Sequence, residues 1–359
     1  MQEFNNAALE SLIRTAMQTG ASDIHLSSGN YAALRVHGEL NYMKEFGIFT
    51  REALEKFISE ILMPQQFDKF KRTGDLDFAF TYQTQRFRGS AYKEMHGVSL
   101  TFRLISSVIR SLDELGLPEI LKTMSQKHRG LFLATGPTGH GKSSTLAAII
   151  SEINHFRKAH IVTIEDPIEY IHVPAMSVIH QREIGSDTEN FASGIRHVLR
   201  QDPDVIMIGE MRDLETISAA ITAAETGHLV FGTLHTQDAS QSIERIVDVF
   251  PPHQQNQIRL QLAYTLLGIC SQQLVSTQNV KGRVCATEIL ITTPAIRASI
   301  REGKVSSIRN SMLTGMTFGM HTMEQDLARW VREGKISRET AKDFAYDQTE
   351  IERVMNMRF

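Results

Sequence analysis

Residues 136–143 read Gly136-Pro137-Thr138-Gly139-His140-Gly141-Lys142-Ser143 and satisfy the pattern G-x-x-x-x-G-K-[ST] in full. The apolar residues 131–135 before them predict a strand, and residues 144–153 after them predict a helix. Glycines let the backbone curl so that successive N–H groups and the N-terminus of the helix face an anion. This stretch therefore predicts a phosphate-binding loop inside an α/β domain.

The loop also predicts which groups hold a nucleotide. Lys142 is expected to reach the β and γ phosphates, and the hydroxyl of Ser143 is expected to hold Mg²⁺. The side chain of His140 is expected to point into solvent, with a phosphate or a neighbouring subunit as the alternative contacts, because only the backbone is needed at that position. ATP and Mg²⁺ are thus the expected ligands. The predicted nucleotide-binding residues are Gly136, Pro137, Thr138, Gly139, His140, Gly141, Lys142, Ser143 and Ser144.

The sequence around the loop predicts a parallel sheet. Apolar runs alternate with predicted helices, which is typical of such a sheet with helices on both faces. These runs are residues 130–135, 160–165, 205–209 and 228–234. Ligands of open parallel sheets bind at the carboxyl ends of the strands, so polar residues at the ends of these runs are the candidates for catalysis.

Three residues at these ends, Glu165, Glu210 and His235, are predicted to be catalytic. We assign Glu210 to Mg²⁺, directly or through water, and Glu165 to the attacking water as its general base, although the two roles can be exchanged. His235 is a candidate for sensing or polarising the γ-phosphate. The structural alternative is that the acids cap helices or pair with arginines. Those arginines are Arg196, Arg200 and Arg212.

The first part of the chain has a different pattern, which predicts an α+β domain with an antiparallel sheet over residues 1–105. Residues 106–112 are predicted to be a linker, and residues 113–359 the α/β domain. Residues 250–359 have a mostly helical pattern, and the C-terminal helices, about 290–359, are expected to be dispensable for the phosphate loop. The predicted helices of the first domain are 7–18, 51–62 and 64–71, and its strands are 23–26, 32–36, 75–82, 85–92 and 98–104.

Composition excludes several classes of protein. The 359 residues have a net charge of −3 and 7% aromatic residues, which argues against a nucleic-acid motor with a basic, aromatic groove. Two cysteines are too few for a disulfide framework or a four-cysteine zinc site. No run of 18 apolar residues is present in the sequence, so we expect a cytoplasmic protein that works at a membrane only through a partner.

Taken together, these motifs resemble those of the secretion ATPases and, within them, the PilT family of type IV pilus retraction ATPases. Their order and spacing match over nearly the whole chain. The matching stretches are 136–143, 163–169 (the Asp box of the family), 202–213 and 233–236 (its His box), with support from 21–26, 223–228, 247–251 and 293–297.

The resemblance implies a PAS-like N-terminal domain followed by a RecA-like ATPase domain with a helical C-terminal portion. It also implies a homohexameric ring under the inner membrane that removes pilin from the pilus base. The implied partner is a membrane platform protein of the pilus, and a paralogous pilus ATPase is a further candidate partner. Arginines of the N-terminal domain reach the nucleotide in this family, and Arg88 and Arg103 are similar to them. A guanidinium suits a transferring phosphoryl group, but both positions are also compatible with exposed charges on strands.

Three departures from the family pattern leave alternatives open. His140 stands where the family usually has Ser, residues 295–300 read Ala-Ile-Arg-Ala-Ser-Ile instead of Ala-Ile-Arg-Asn-Leu-Ile, and residues 93–96 differ as well. The second motif is linked to retraction in the family. An accessory ATPase of the PilU type, or a nucleotide-responsive scaffold, therefore remains an alternative to the retraction motor.

Overall fold

The computed structural model describes residues 7–36, 38–83, 85–105, 108–278 and 282–357. The chain divides into two units, of which the first contains residues 1–108 and 167–171 and the second residues 109–166 and 172–359. The short segment 167–171 follows Glu165 and Asp166 directly and belongs to the first unit, where Arg86 Nε donates to the carbonyl oxygen of Ile168 over 3.2 Å.

The first unit is built on a six-stranded antiparallel sheet with the strand order β3-β2-β1-β6-β5-β4. The predicted antiparallel sheet is thus present, but the sequence reading missed the edge strand β3. Most of its side chains are exposed on both faces, so it lacks the alternation of a half-buried strand. The elements are α1 (Ala7–Thr19), β1 (Asp23–Ser27), β2 (Asn30–Val36), β3 (Glu39–Phe49), α2 (Arg51–Ile61), α3 (Pro64–Thr73), β4 (Asp75–Tyr82), β5 (Gln85–Glu94) and β6 (Gly97–Ile105).

The second unit contains a seven-stranded sheet with the order β13-β12-β7-β11-β10-β8-β9. Its strands are parallel except β13, which runs antiparallel to β12. The four predicted parallel strands are confirmed. The strands are β7 (Gly130–Thr135), β8 (His160–Glu165), β9 (Val178–Glu183), β10 (Val205–Ile208), β11 (Leu229–Leu234), β12 (Leu266–Ser276) and β13 (Arg283–Ile291), and the helices are α4 (Lys122–Ser125), α5 (Lys142–Phe156), α6 (Phe191–Val198), α7 (Leu214–Glu225), α8 (Ala239–Asp248) and α9 (Pro252–Thr265).

The mostly helical pattern assigned to residues 250–359 is wrong for β12 and β13. Both strands are buried along nearly their whole length, so they show no period-2 alternation that would distinguish them from buried helix. After them the chain is helical, as predicted. The helices are α10 (Pro294–Arg301), α11 (Ser306–Leu313), α12 (Met323–Arg332), α13 (Arg338–Phe344) and α14 (Gln348–Asn356).

These C-terminal helices are packed on the sheet, not separate from it. Val275 of β12 and Ala286 of β13 share one core cluster with Leu327 and Ile351 of the helices. Trp330 Nε1 donates to the carbonyl oxygen of Cys285 over 3.1 Å. The helices thus cover β12, which pairs with β7, and its neighbour β13. The expectation that they are dispensable for the phosphate loop stays a prediction, and this packing argues against it. None of the helices in the described part of the chain has the length and apolar character needed to cross a bilayer.

Candidate nucleotide-binding site

The phosphate loop connects β7 to α5 with a backbone that requires glycine. Gly136 has φ +135°, and a Cβ there would lie 2.4 Å from the carbonyl oxygen of Gln272 on β12, well inside van der Waals contact. Gly141 has φ +88° and precedes α5 without providing a side-chain cap. The first N–H groups of α5 therefore open onto the loop, as an anion-binding helix N-terminus does.

Lys142 is buried, and its ammonium group lies inside the curve of the loop. Its Nζ donates to the carbonyl oxygens of Gly136, over 2.7 Å, and Pro137, over 2.9 Å. Buried charges need polar partners, and here the loop backbone supplies them. The arrangement keeps a positive charge in the position where the sequence pattern predicts phosphate.

Glu210 and His235 meet at the ends of two neighbouring strands. His235 Nε2 lies 2.5 Å from Glu210 Oε1, and His235 Nδ1 lies 3.4 Å from the hydroxyl of Thr138 in the phosphate loop. Glu210 follows β10 and His235 follows β11, which pairs with both β10 and β7. The parallel order thus brings together the loop, an acid and a histidine that are distant in sequence.

The same carboxylate also pairs with an arginine. Arg212 Nε contacts Glu210 Oε1, so the arginine pairing named as a structural alternative is present. It coexists with the histidine contact. The backbone here is fixed by Thr233, whose Oγ1 donates to the carbonyl oxygen of Gly209 over 2.5 Å. Glu210 is therefore held at the strand end, with one oxygen shared between two cationic or potentially cationic groups.

Glu165 lies at the end of the next strand, β8, in a hydrogen-bonded group of its own. Its Oε1 accepts from the hydroxyl of Thr163 over 2.6 Å and from the side-chain amide of Gln181 over 3.3 Å. The side chain is buried. The backbone of Gly209 donates to Ile164 over 2.8 Å, which joins the end of β8 to the end of β10. Glu165 and Glu210 thus occupy adjacent strand ends.

The prediction that His140 points into solvent is wrong. Its ring is half-buried, and Nδ1 accepts the backbone N–H of Leu274 on β12 over 3.0 Å. Burial lowers the pKa of His140, and the nearby charges of Lys142 and Arg283 lower it further.

The sequence reading missed β12 as a support of the loop. Thr135 Oγ1 donates to Ser271 Oγ over 2.8 Å, and Gln272 Nε2 donates to Thr145 Oγ1 over 2.9 Å. The signal that was present is the polar run 271–273 (Ser-Gln-Gln) within an otherwise apolar stretch. Buried polar groups of this kind need partners, and here those partners lie at the end of β7, directly before the loop, and in the first turn of α5, directly after it.

Arg88 and Arg103 lie in the first unit, directly opposite each other on β5 and β6. Both are exposed. Arg103 Nε donates to Asp23 Oδ1 over 2.9 Å. Two guanidinium groups therefore share one face of the antiparallel sheet, since directly paired residues point the same way.

The altered motif at residues 295–300 forms most of α10. Ile296 and Ile300 are fully buried, and Arg297 Nη1 donates to the carbonyl oxygens of Ala263, over 2.7 Å, and Tyr264, over 3.0 Å, in the last turn of α9. The apolar positions and the arginine thus join α10 to the preceding helix. The two changed positions, Ala298 and Ser299, lie between Arg297 and Ile300.

No group of three or more His, Cys, Asp and Glu side chains that could bind a metal occurs within the ranges the structure describes. A Mg²⁺ ion at the loop would take its ligands from oxygen atoms of the protein together with phosphate oxygens. Mg²⁺ is commonly bound in this way at phosphate loops. The hydroxyl of Ser143 at the start of α5 and the carboxylate of Glu210 are oxygen donors of the type that Mg²⁺ prefers.

Comparison with known proteins gives consistent matches over nearly the whole chain. The model of the family "Type II/IV secretion system protein" matches residues 2–341. The type IV pilus retraction ATPase PilT of Pseudomonas aeruginosa is 43% identical, over 93% of this chain and 97% of that protein. A twitching motility protein of Neisseria gonorrhoeae is 43% identical, over 92% and 89%. The type IV pilus ATPase PilU of Pseudomonas aeruginosa is 38% identical, over 92% and 87%.

A solved structure has the same fold. The crystal structure of the pilus retraction motor PilT with bound ADP is 42% identical and matches with a TM-score of 0.90, over 96% of this chain and 98% of that chain. The likeness therefore extends over nearly the whole length of both chains.

Proposed function

The chain belongs to the Type II/IV secretion system protein family and, within it, to the PilT-type retraction ATPases, and we propose that it hydrolyses ATP to power the retraction of a type IV pilus. The observation that carries this proposal is the meeting of the phosphate loop with Glu210 and His235 at the carboxyl end of the sheet. Relatives named for pilus retraction and twitching motility support the biological role.

In this proposal residues 136–144 bind the triphosphate. Backbone N–H groups of the loop and of α5 receive phosphate oxygens, and Lys142 exchanges its carbonyl partners for the β and γ phosphates. Ser143 and Glu210 would hold Mg²⁺, the latter directly or through water, and the ion would neutralise phosphate charge. His235, through its contact with Thr138, senses or polarises the γ-phosphate.

Hydrolysis is an attack of water on the γ-phosphorus. A carboxylate takes a proton from the water as the new P–O bond forms, and the bond between the γ-phosphorus and the bridging oxygen breaks to release ADP and phosphate. We assign the base to Glu165, whose position beside Thr163 and Gln181 fixes its carboxylate. The alternative assignment exchanges the two roles, with Glu210 as the base and Glu165 at Mg²⁺.

The proposal extends to a homohexamer at the cytoplasmic side of the inner membrane. The first unit would be the PAS-like domain, and its Arg88 and Arg103 would complete a nucleotide site by stabilising charge on the phosphoryl oxygens. Cycles of binding and release around such a ring would move a membrane platform protein of the pilus. Adjacent exposed arginines on β5 and β6 support this part.

An accessory ATPase of the PilU type is the second candidate. It is favoured by the 38% identity to PilU and by the changed residues at positions 298 and 299 of the motif in α10. Such a protein would bind nucleotide and assist another retraction ATPase instead of acting as the main motor.

The test is Mg²⁺-dependent phosphate release by the purified chain, measured beside E165Q and E210Q. We expect turnover in the wild type and its loss in both variants, because each removes a carboxylate that the reaction needs. E244Q, at an exposed position on α8, is the matched control and should turn over normally. Absence of turnover in an assembled wild-type ring would contradict the motor and favour the accessory role.

A further inference from the structure

The edge of β12 continues beyond the end of β7. The two strands are paired up to Ser271 and Thr135, after which β7 turns into the phosphate loop and β12 runs on to Ser276. Backbone groups of residues i and i+2 in a strand point to the same side. Gln272 and Leu274 therefore direct their backbone groups to the side that β7 has left, and the phosphate loop lies there.

Two contacts join the loop to this edge. The backbone of Gly136 approaches the carbonyl oxygen of Gln272 so closely that a side chain would not fit. Four residues later, His140 Nδ1 accepts the N–H of Leu274 over 3.0 Å. The His140 side chain thus accepts the hydrogen bond that the backbone of a neighbouring strand would otherwise accept. It thereby satisfies the half-buried N–H of Leu274.

The residues on either side of His140 are glycines, and for this reason the contact of His140 with Leu274 matters for the conformation of the loop. Gly139 has φ +81° and Gly141 has φ +88°, and glycine has more conformational freedom than any other residue. The tip of the loop therefore has little intrinsic stiffness. A hydrogen bond from its middle residue to a buried strand restrains it.

We propose that His140 is a positioning residue that fastens the phosphate loop to β12 through Leu274 and thereby holds the loop ready for a nucleotide. The inference rests on the proposed function, since it assumes that the loop binds nucleotide. The ring acts on the ligand only through the loop backbone. Loss of the His140 ring weakens nucleotide binding, because the loop must then become ordered when the nucleotide binds.

The contact also makes nucleotide binding sensitive to acid. Nδ1 accepts a hydrogen bond only while it carries no proton. Lys142 from the start of α5 and Arg283 from β13 face the ring, while residues 271–276 of β12 carry no charge. These positive charges and burial lower the pKa of His140, so the contact is present at neutral pH and is lost as the pH falls through that lowered value.

The experiment measures binding of a fluorescent N-methylanthraniloyl ADP by the full chain at about pH 8, above the ordinary histidine pKa, and at a lower pH that lies below the lowered pKa of His140, where the ring is protonated. At the higher pH we expect H140A to bind about fivefold more weakly than the wild type, the equivalent of one net hydrogen bond. H140N should bind within about twofold of the wild type, because its amide oxygen can occupy the position of Nδ1. At the lower pH the wild type should approach H140A, while H140N keeps its advantage.

H253A is the matched control, because His253 is exposed on α9, and it should bind like the wild type at both values. Equal affinity of H140A and the wild type at the higher pH, or equal weakness of H140N and H140A, would overturn the inference and leave the proposed function intact. A wild type that binds no nucleotide would overturn both. If H140A does not fold, the different pH dependence of the wild type and H140N tests the inference by itself.

Discussion

Replacing Arg309 with methionine is expected to destabilise the second unit strongly, because it removes the cation between two buried carboxylates. Arg309 Nη2 lies 2.7 Å from Glu324 Oε2 and 2.7 Å from Glu350 Oε2, and the side chains of these glutamates are 0% and 7% exposed. Methionine keeps most of the aliphatic stem, so the change isolates the charge from the packing.

The expected loss is about 3 kcal/mol, the lower end of the range for breaking a buried pair by removing one partner. The lower end applies because each carboxylate keeps other donors. Glu324 Oε1 accepts from the backbone N–H groups of Tyr346 and Asp347, and Glu350 Oε1 accepts from the hydroxyl of Thr322.

Urea denaturation followed by tryptophan fluorescence measures this loss, because Trp330 is the single tryptophan of the chain and lies on α12, the helix that carries Glu324. K342M is the matched control. It removes the exposed pair of Lys342 and Glu352 between α13 and α14, and exposed pairs contribute little. A loss below about 1 kcal/mol in R309M, or one equal to that of K342M, would refute the view that Arg309 neutralises buried charge.

Two other changes test separate parts of the chain. R88A and R103A should each lose most ATP hydrolysis while still assembling, with R51A as an exposed control on α2; full activity in both variants would refute the role of these arginines. Burial lowers the pKa of His172 to about 4 from its ordinary 6.5. Between these pH values His172 therefore binds a proton in the unfolded chain but stays neutral in the folded chain. The wild type should therefore lose about 3 kcal/mol relative to H172Q between about pH 6.5 and pH 4 in urea denaturation, and parallel pH profiles would contradict this.

The nucleotide-binding part of the fold was predictable because its signals are local. The residues of the phosphate loop are contiguous, and the strands before Glu165, Glu210 and His235 are short apolar runs. A parallel sheet brings such strand ends to one edge whatever their order. The order itself, which puts β11 between β7 and β10, was not predicted, yet it determines that His235 contacts both Thr138 and Glu210.

The rest depends on partners that are remote in sequence. The N–H that His140 accepts belongs to Leu274, and no pattern around the loop indicates it. The sequence does not identify β12 as a strand, because β12 is buried on both faces and carries Gln272 and Gln273 in its middle. Local patterns favour or disfavour an element, but tertiary contacts decide such ambiguous segments.

The strand β12 connects the C-terminal helices with the phosphate loop, because it contacts both. Gln272 and Leu274 of β12 contact the phosphate loop. Gln273, which lies between them, contacts the C-terminal helices, because its Nε2 donates to the carbonyl oxygen of Phe344 at the end of α13 over 3.1 Å. Tyr346, just beyond α13, donates its hydroxyl to the carbonyl oxygen of Gln237 over 2.7 Å, two residues after His235. The same C-terminal segment thus contacts both β12, the strand behind the phosphate loop, and the segment that follows His235. A displacement of these helices would reach both groups at once, since packed elements transmit shifts instead of absorbing them.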